Sequence, residues 1–267
     1  MGKLITSLHN PDVRNAILIG EKQRERKMQG LFMIEGCREA GLAAAAGYVV
    51  NSAYYCPEIL AKEKALEILC LSDDLRLNEV SREVYNRMAY RKDAEGLICV
   101  AETRDLTPFE LKLPSNPLVL VIESVEKPGN LGAVMRTADA AGLHAVIICD
   151  KHTDIYNPNA IRSSIGCVFT VPLATATSEE TLQWLKCNSI EYFPASLEAG
   201  RLYHECAFTG PTAFIMGTES TGLSAVWTNE KEKLIKIPML GRIDSMNVSV
   251  SAAILVFEAM RQRNFII

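Results

Sequence analysis

Two α/β domains, the second built on a parallel sheet covered by helices on both faces, are the architecture this sequence predicts, and three observations predict it. Strand-length runs alternate with helix-length periodic segments along most of the chain, which is the pattern of βα units. Two of those runs, Leu118–Glu123 and His144–Cys149, are apolar almost throughout, as strands buried on both faces are. The stretch from Arg104 to Pro117 carries three prolines among polar residues and breaks the periodicity on both sides. A linker at 104–117 therefore separates a first domain, 1–103, from a second, 118–267.

In the first domain, apolar spacing predicts a helix around Asp12–Gln29, a strand at Leu31–Glu35, a helix at Arg38–Ala46 and a strand near Tyr48–Cys56. A helix at Pro57–Leu69, a helix at Ser81–Ala89 and a strand at Gly96–Ala101 complete it. In the second, the strand Leu118–Glu123 is followed by a helix at Leu131–Ala141 that Gly142 closes, then by the strand His144–Cys149. Further strands are expected at Val168–Val171, Ile190–Pro194, Thr212–Met216 and Leu234–Ile237, with helices at Glu179–Lys186, around Leu223–Trp227 and at Val248–Arg263.

Composition narrows the function classes. The chain has 267 residues, 48% of them hydrophobic and 22% charged, enough for one large core or two modest ones, so disorder and fibrous repeats are excluded. No apolar run reaches the roughly eighteen residues that a bilayer span requires, and no apolar signal core follows Met1-Gly2-Lys3-Leu4, so a soluble cytoplasmic protein is expected. A net charge of −4 argues against coating nucleic acid by bulk charge. The basic residues of the first domain are bunched, however: Arg14, Lys22, Arg24, Arg26 and Lys27 crowd its start, and Arg82, Arg87, Arg91 and Lys92 form a second group. The eight cysteines are never closer than fourteen positions apart, which excludes a CxxC zinc or dithiol site, and they read as reduced thiols. His9, His144, His152 and His204 are scattered, and no metal is expected.

Three segments after the linker place small or polar residues just beyond a predicted strand, where ligands of parallel sheets bind. In the first, Pro128-Gly129-Asn130 turns the chain, Gly132 permits close approach, and Arg136 follows six residues after Asn130. Taken alone, this reads equally well as a plain βα turn with an exposed arginine. The second, Gly217-Thr218-Glu219-Ser220-Thr221-Gly222, is a polar loop with glycine at each end; GxGxxG and GxxxxGK[ST] are both missing from the chain, which disfavours a conventional nucleotide enzyme. The third runs from Ile237-Pro-Met239 through Gly241 to Ser245-Met246-Asn247-Val-Ser, where Ser245 and Asn247 also suit ordinary helix capping.

In order and spacing these segments strongly resemble the three motifs of the SpoU/TrmH family of RNA 2′-O-ribose methyltransferases, within the SPOUT superfamily. Asn130, Gly132 and Arg136 match an Asn-x-Gly-x-x-x-Arg core; Gly217, Glu219 and Gly222 match Gly-x-Glu-x-x-Gly. The third motif matches except that Met246 stands for the usual leucine, a volume-conserving exchange. The likeness covers nearly the whole chain, with 1–103 similar to the family's substrate-binding domain.

The resemblance implies a SPOUT catalytic domain with a deep trefoil knot, an exception to the unknotted rule, and S-adenosyl-L-methionine as cofactor. By motif position, Gly217, Ile237 and Met246 bind the cofactor, with Thr218, Gly222 and Met239 beside them. Arg136 is the first candidate for catalysis, holding an RNA phosphate and stabilising developing oxygen charge. Asn130 and Glu219 orient Arg136 or the ribose, while Ser245 and Asn247 shape the substrate loop. Arg24, Arg26 and Lys27 are the expected RNA contacts, with Arg82–Lys92 as the alternative surface; Tyr54, Tyr55 and Tyr90 are candidates for base stacking and otherwise core residues. The implied reaction is 2′-O-methylation of RNA, 23S ribosomal RNA foremost, by a homodimer joined through the knotted domain. A tRNA 2′-O-methyltransferase and a catalytically silent ribosome-assembly factor of the same fold are the alternatives.

Overall fold

The computed structural model describes residues 4–71, 76–90, 95–150, 153–218, 221–242 and 245–266. The chain divides into two compact units: Met1–Asp105 with Asp154–Thr170, and Leu106–Thr153 with Val171–Ile267.

The first unit opens with α1 (Pro11–Glu21), whose first turn is capped by Asn10: its side chain accepts from the backbone of Asp12 and Val13. The single helix expected over Asp12–Gln29 is two, because Lys22 adopts extended backbone (φ −118°, ψ 117°) before α2 (Gln23–Gln29) begins. There follow β1 (Leu31–Glu35), α3 (Cys37–Ala45), β2 (Val50–Tyr55), α4 (Lys62–Ile68), β3 (Leu77–Glu79), α5 (Arg82–Met88) and β4 (Leu97–Glu102). The sheet order is β1-β4-β2-β3, antiparallel except for the β2–β3 pair. Val13, Ile19, Met33, Tyr54, Val84 and Ile98 belong to its core.

In the second unit, β5 (Leu118–Glu123), α6 (Pro128–Ala141) and β6 (Ala145–Cys149) follow the expected order, and Gly142 ends α6 in the left-handed region at φ +62°. The chain then leaves for the first unit, where it forms α7 (Pro158–Ser163) and α8 (Cys167–Thr170). The strand expected at Val168–Val171 is therefore corrected: Val168, Phe169 and Thr170 belong to α8, and the strand lies later, at β7 (Leu173–Ala176). Local β-propensity loses here to packing, since Phe169 sits 5.9 Å from the ring of Phe32 and 5.1 Å from that of Tyr48, while Tyr156 stacks on Phe32 at 4.3 Å.

The rest of the second unit comprises α9 (Ser178–Cys187), β8 (Glu191–Pro194), β9 (Arg201–Leu202), β10 (Thr212–Met216), α10 (Ala225–Thr228), β11 (Ile235–Lys236) and α11 (Val248–Gln262). Its main sheet runs β7-β6-β5-β10-β8, parallel throughout. Trp184, Leu185 and Trp227 of α9 and α10 pack on one face of it, against Val119, Val121 and Ile147. The strand expected at Leu234–Ile237 pairs instead with β9, outside that sheet. The proline-rich stretch is packed rather than free: Thr175 donates from its backbone to Leu106 O at 2.7 Å. Among the described residues no helix is long and apolar enough to cross a membrane.

Candidate functional site

Loops at the C-terminal ends of the parallel strands converge on one cavity of the second unit, as the switch-point rule for open parallel sheets leads one to expect, since β5 and β10 are neighbours there. Its volume is about 580 Å³, within the size of small-molecule sites. Gly217, Thr218 and Gly222 line it from the loop after β10, and Ile237, Met239, Ser245 and Met246 from the segment that leads into α11. A smaller adjoining hollow, about 110 Å³, is lined by Lys127 and Asn130 and shares Gly217, Thr218 and Val248 with it. The sequence-predicted cofactor residues are thus brought together.

The loop after β10 explains its own glycines. Thr218 and Gly222 exchange two backbone hydrogen bonds, each 3.2 Å, and Thr221 N donates to Thr218 Oγ1 at 3.0 Å. A Cβ on Gly217 would overlap the backbone carbonyl of Gly222 and lie 2.7 Å from Leu223 N, so the tight closure requires glycine. Gly222 has open space around it but sits at φ +69°, where other residues are strained. Glu219 lies outside the described residues.

A buried carboxylate holds the exit of this loop. Glu123, at the end of β5 and only 3% exposed, accepts from Ser224 N (2.8 Å), Ser224 Oγ (2.7 Å) and Trp227 Nε1 (3.0 Å). Ser178 Oγ lies 2.6 Å from Glu123 Oε1 and 2.6 Å from Asp150 Oδ2. Burying a carboxylate is costly unless donors surround it, and here they tie β5 to α10 directly after the ligand loop. Sequence reasoning passed over Glu123, although an acid closing an otherwise apolar strand was a signal. It also missed the wall formed by Ser196, Leu197 and Glu198 after β8, which no motif marks.

Asn247 makes two kinds of contact. It caps α11, accepting from Ser249 N (3.0 Å) and Ser249 Oγ (2.6 Å), and its Nδ2 donates to Asn130 Oδ1 at 3.1 Å. That bond links the first and third motifs. Arg136 is exposed on α6, is absent from the cavity lining, and is six residues beyond Asn130, which on a helix means about 120° around and about 9 Å along the axis. It does not join the Asn130–Asn247 pair within one chain.

The residues expected to contact RNA belong to the first unit. Arg24 and Lys27 are exposed, but Arg26 is corrected: 3% exposed, it donates to Asp154 Oδ2 (2.6 Å), Ile19 O (2.7 Å) and Gly20 O (3.0 Å), a structural ion pair rather than part of an open basic surface. Of the alternative surface, Arg82 and Arg87 are exposed, whereas Arg91 and Lys92 lie outside the described residues. Tyr54 and Tyr55 are core, 2% and 4% exposed, whereas Tyr90 is 61% exposed. Among the described residues no group of three metal-binding side chains assembles.

Comparison with known proteins agrees with this geometry. The SpoU rRNA Methylase family model matches residues 117–257, and an MRM3-like substrate binding domain matches 10–99. A Bacillus subtilis (strain 168) protein named 23S rRNA (guanosine(2553)-2′-O)-methyltransferase RlmP is 29% identical over 259 residues, 96% of this chain and 98% of that protein. A crystal structure of an RNA 2′-O ribose methyltransferase superposes with a TM-score of 0.82 at 37% identity, covering 98% of this chain and 100% of the other. An AdoMet-bound rRNA methyltransferase from Sinorhizobium meliloti gives 0.87 at 27% identity, covering 97% of each chain. With all three motif segments present, two of them closing one glycine-bounded cavity and the first joined to them through Asn130, the chain belongs to the SpoU rRNA methylase family.

Proposed function

We propose that the protein is an S-adenosyl-L-methionine-dependent RNA 2′-O-ribose methyltransferase acting on 23S ribosomal RNA in the cytoplasm. The observation that carries this reading is the cavity itself: the cofactor residues implied by the motifs line one hollow, and its glycine loop closes so tightly that a side chain at Gly217 has no room. The cofactor, when bound, supplies an electrophilic methyl group.

The chain's own residues do the rest. Backbone groups of the 217–222 loop and the segment from Ile237 to Met246 hold the cofactor, while the Asn130–Asn247 pair at 3.1 Å fixes the floor on which the ribose is aligned. Glu219 orients Arg136 or the ribose, and Ser245 with Asn247 shapes the cofactor and substrate loop. Arg136 grips an RNA phosphate in a planar fork, stabilising charge that develops on oxygen. The first unit, Met1–Asp105 with the returning segment Asp154–Thr170, selects RNA through exposed Arg24 and Lys27.

The enzyme works as a homodimer, with the C-terminal segment threaded as the family's trefoil knot. Support comes from α11, which leaves Val250 and Phe257 exposed at 49% and 40%, one helical repeat of seven apart, an apolar stripe suited to a second copy. An exposed arginine that does not line its own chain's cavity then acts at the partner's. Transfer of labelled methyl from S-adenosyl-L-methionine to unmodified 23S rRNA, with the acceptor located by primer extension, tests the activity; no transfer to any rRNA contradicts it. Light scattering tests the dimer, and a fully active monomer would refute it.

A further inference from the structure

We infer that the first unit carries a nucleobase subsite, in which an unstacked base of the RNA lies on the ring of Tyr90 beside Arg162. The inference rests on the RNA-methylating reading above and adds to it a place where a base is gripped.

Tyr90 is the single tyrosine of the three stacking candidates that faces solvent, and it is held in place rather than loose. Its backbone N–H donates to Glu35 Oε2 at 2.7 Å, and that carboxylate is itself only 9% exposed. The guanidinium of Arg162 lies 5.2 Å from the ring centroid, and its Nη2 donates to Asn159 Oδ1 at 2.7 Å, which fixes the orientation of the planar group. Arg162 stands 72 positions after Tyr90 and arrives with the segment that returns to this unit, so no local sequence pattern pairs the two.

Beside them opens a concavity of about 340 Å³. Met33 and Met88 give it an apolar floor, and Arg87, Asn157 and Asn159 a polar rim. A flat heterocycle matches both parts: its face covers the sulfur and aromatic surface, and its edge offers donors and acceptors to the amides. Proteins that read unpaired RNA stack splayed bases on aromatic rings and arginine planes in this manner. Arg87 makes an exposed ion pair with Glu21 at 3.5 Å, a weak contact that a backbone phosphate can replace. An isolated anion would need the arginines but not the tyrosine, and a core role would not leave Tyr90 61% exposed.

The test uses the full-length protein and 23S rRNA transcribed in vitro, with affinity measured across a salt series for wild type, Tyr90→Ala, Tyr90→Phe and Arg162→Ala. Loss of one stacked base is expected to weaken binding about 5- to 150-fold in Tyr90→Ala, with an unchanged salt slope because no charge is removed. Phenylalanine is expected to restore wild-type affinity, and Arg162→Ala to weaken binding as well. Cofactor affinity and melting temperature should stay at wild-type values in every variant, since both side chains are exposed. Wild-type affinity in Tyr90→Ala, or failure of phenylalanine to rescue it, overturns the subsite while leaving the methyltransferase reading intact. A wild-type protein that binds no rRNA overturns both.

Discussion

Replacing Gly217 by alanine forces the ligand loop open, and the size of the effect follows from what closes it. The new Cβ would overlap the carbonyl of Gly222, which is backbone and cannot rotate away, so relief requires separating Thr218 from Gly222. That separation breaks two backbone hydrogen bonds of 3.2 Å. At roughly 0.5–1.5 kcal/mol net for each, opening costs about 1–3 kcal/mol. If the cofactor binds the closed loop, its affinity falls by about 5- to 150-fold, since about 1.4 kcal/mol is a factor of ten. Gly222→Ala meets no neighbour within 4 Å but must hold φ +69°, at a cost of about 1–2 kcal/mol. Titration calorimetry with S-adenosyl-L-methionine reads both variants, and scanning calorimetry verifies that each is folded. Wild-type affinity in Gly217→Ala would remove the loop from the cofactor site. The first atoms that a side chain at Gly217 meets belong to the loop itself.

Other outcomes follow from the same structure. Arg26→Ala should destabilise the protein by about 3–5 kcal/mol in denaturant titration, because it leaves Asp154 without its buried partner. Arg24→Ala and Lys27→Ala should stay within about 0.5 kcal/mol and lower RNA affinity instead; an Arg26→Ala protein as stable as wild type would disprove the structural role. Arg136→Ala should abolish methylation with cofactor affinity and folding near normal, and Arg136→Lys should also be poor, since a point charge does not reproduce the fork; a lysine variant with most of the activity refutes that. Burial, followed by the nearby Arg263 charge, holds His144 below its ordinary pKa, and its ring accepts from Leu118 N at 2.9 Å. The unfolded chain thus takes up a proton near pH 6.5 that the folded chain refuses, so stability is full above about pH 6.5 and declines as pH falls toward the lower folded value. His144→Asn should flatten that slope in pH-dependent melting, and an unaltered slope would contradict the assignment.

How far the sequence was legible depends on the range of the interactions involved. The strands β5 and β6 were readable because nearly every position in them is apolar, which only a doubly covered strand tolerates, and Gly142 marked the end of α6 through its own backbone preference. The residues expected to hold the cofactor were marked by motif order and spacing, and the structure lines one cavity with them. The α8 segment was not: Val168 and Phe169 favour strand locally, and only packing against Phe32 and Tyr48 makes them helical. Arg26 looked like one of five clustered bases, and nothing local discloses a partner 128 residues away. Glu123 finds Ser224 across 101 residues for the same reason. The domain reading met a similar obstacle, since Asp154–Thr170 joins the first unit through aromatic contacts that no composition break announces.

The central claim is that this chain places a methyl group on a ribose 2′-oxygen of large-subunit RNA, and mass spectrometry of nuclease-digested 23S rRNA tests it most directly. RNA from cells lacking the gene should miss one 2′-O-methylated nucleotide, which the wild-type gene restores and an Arg136→Ala gene does not. Identical digests from cells with and without the gene, under conditions where the protein is expressed, would contradict the account.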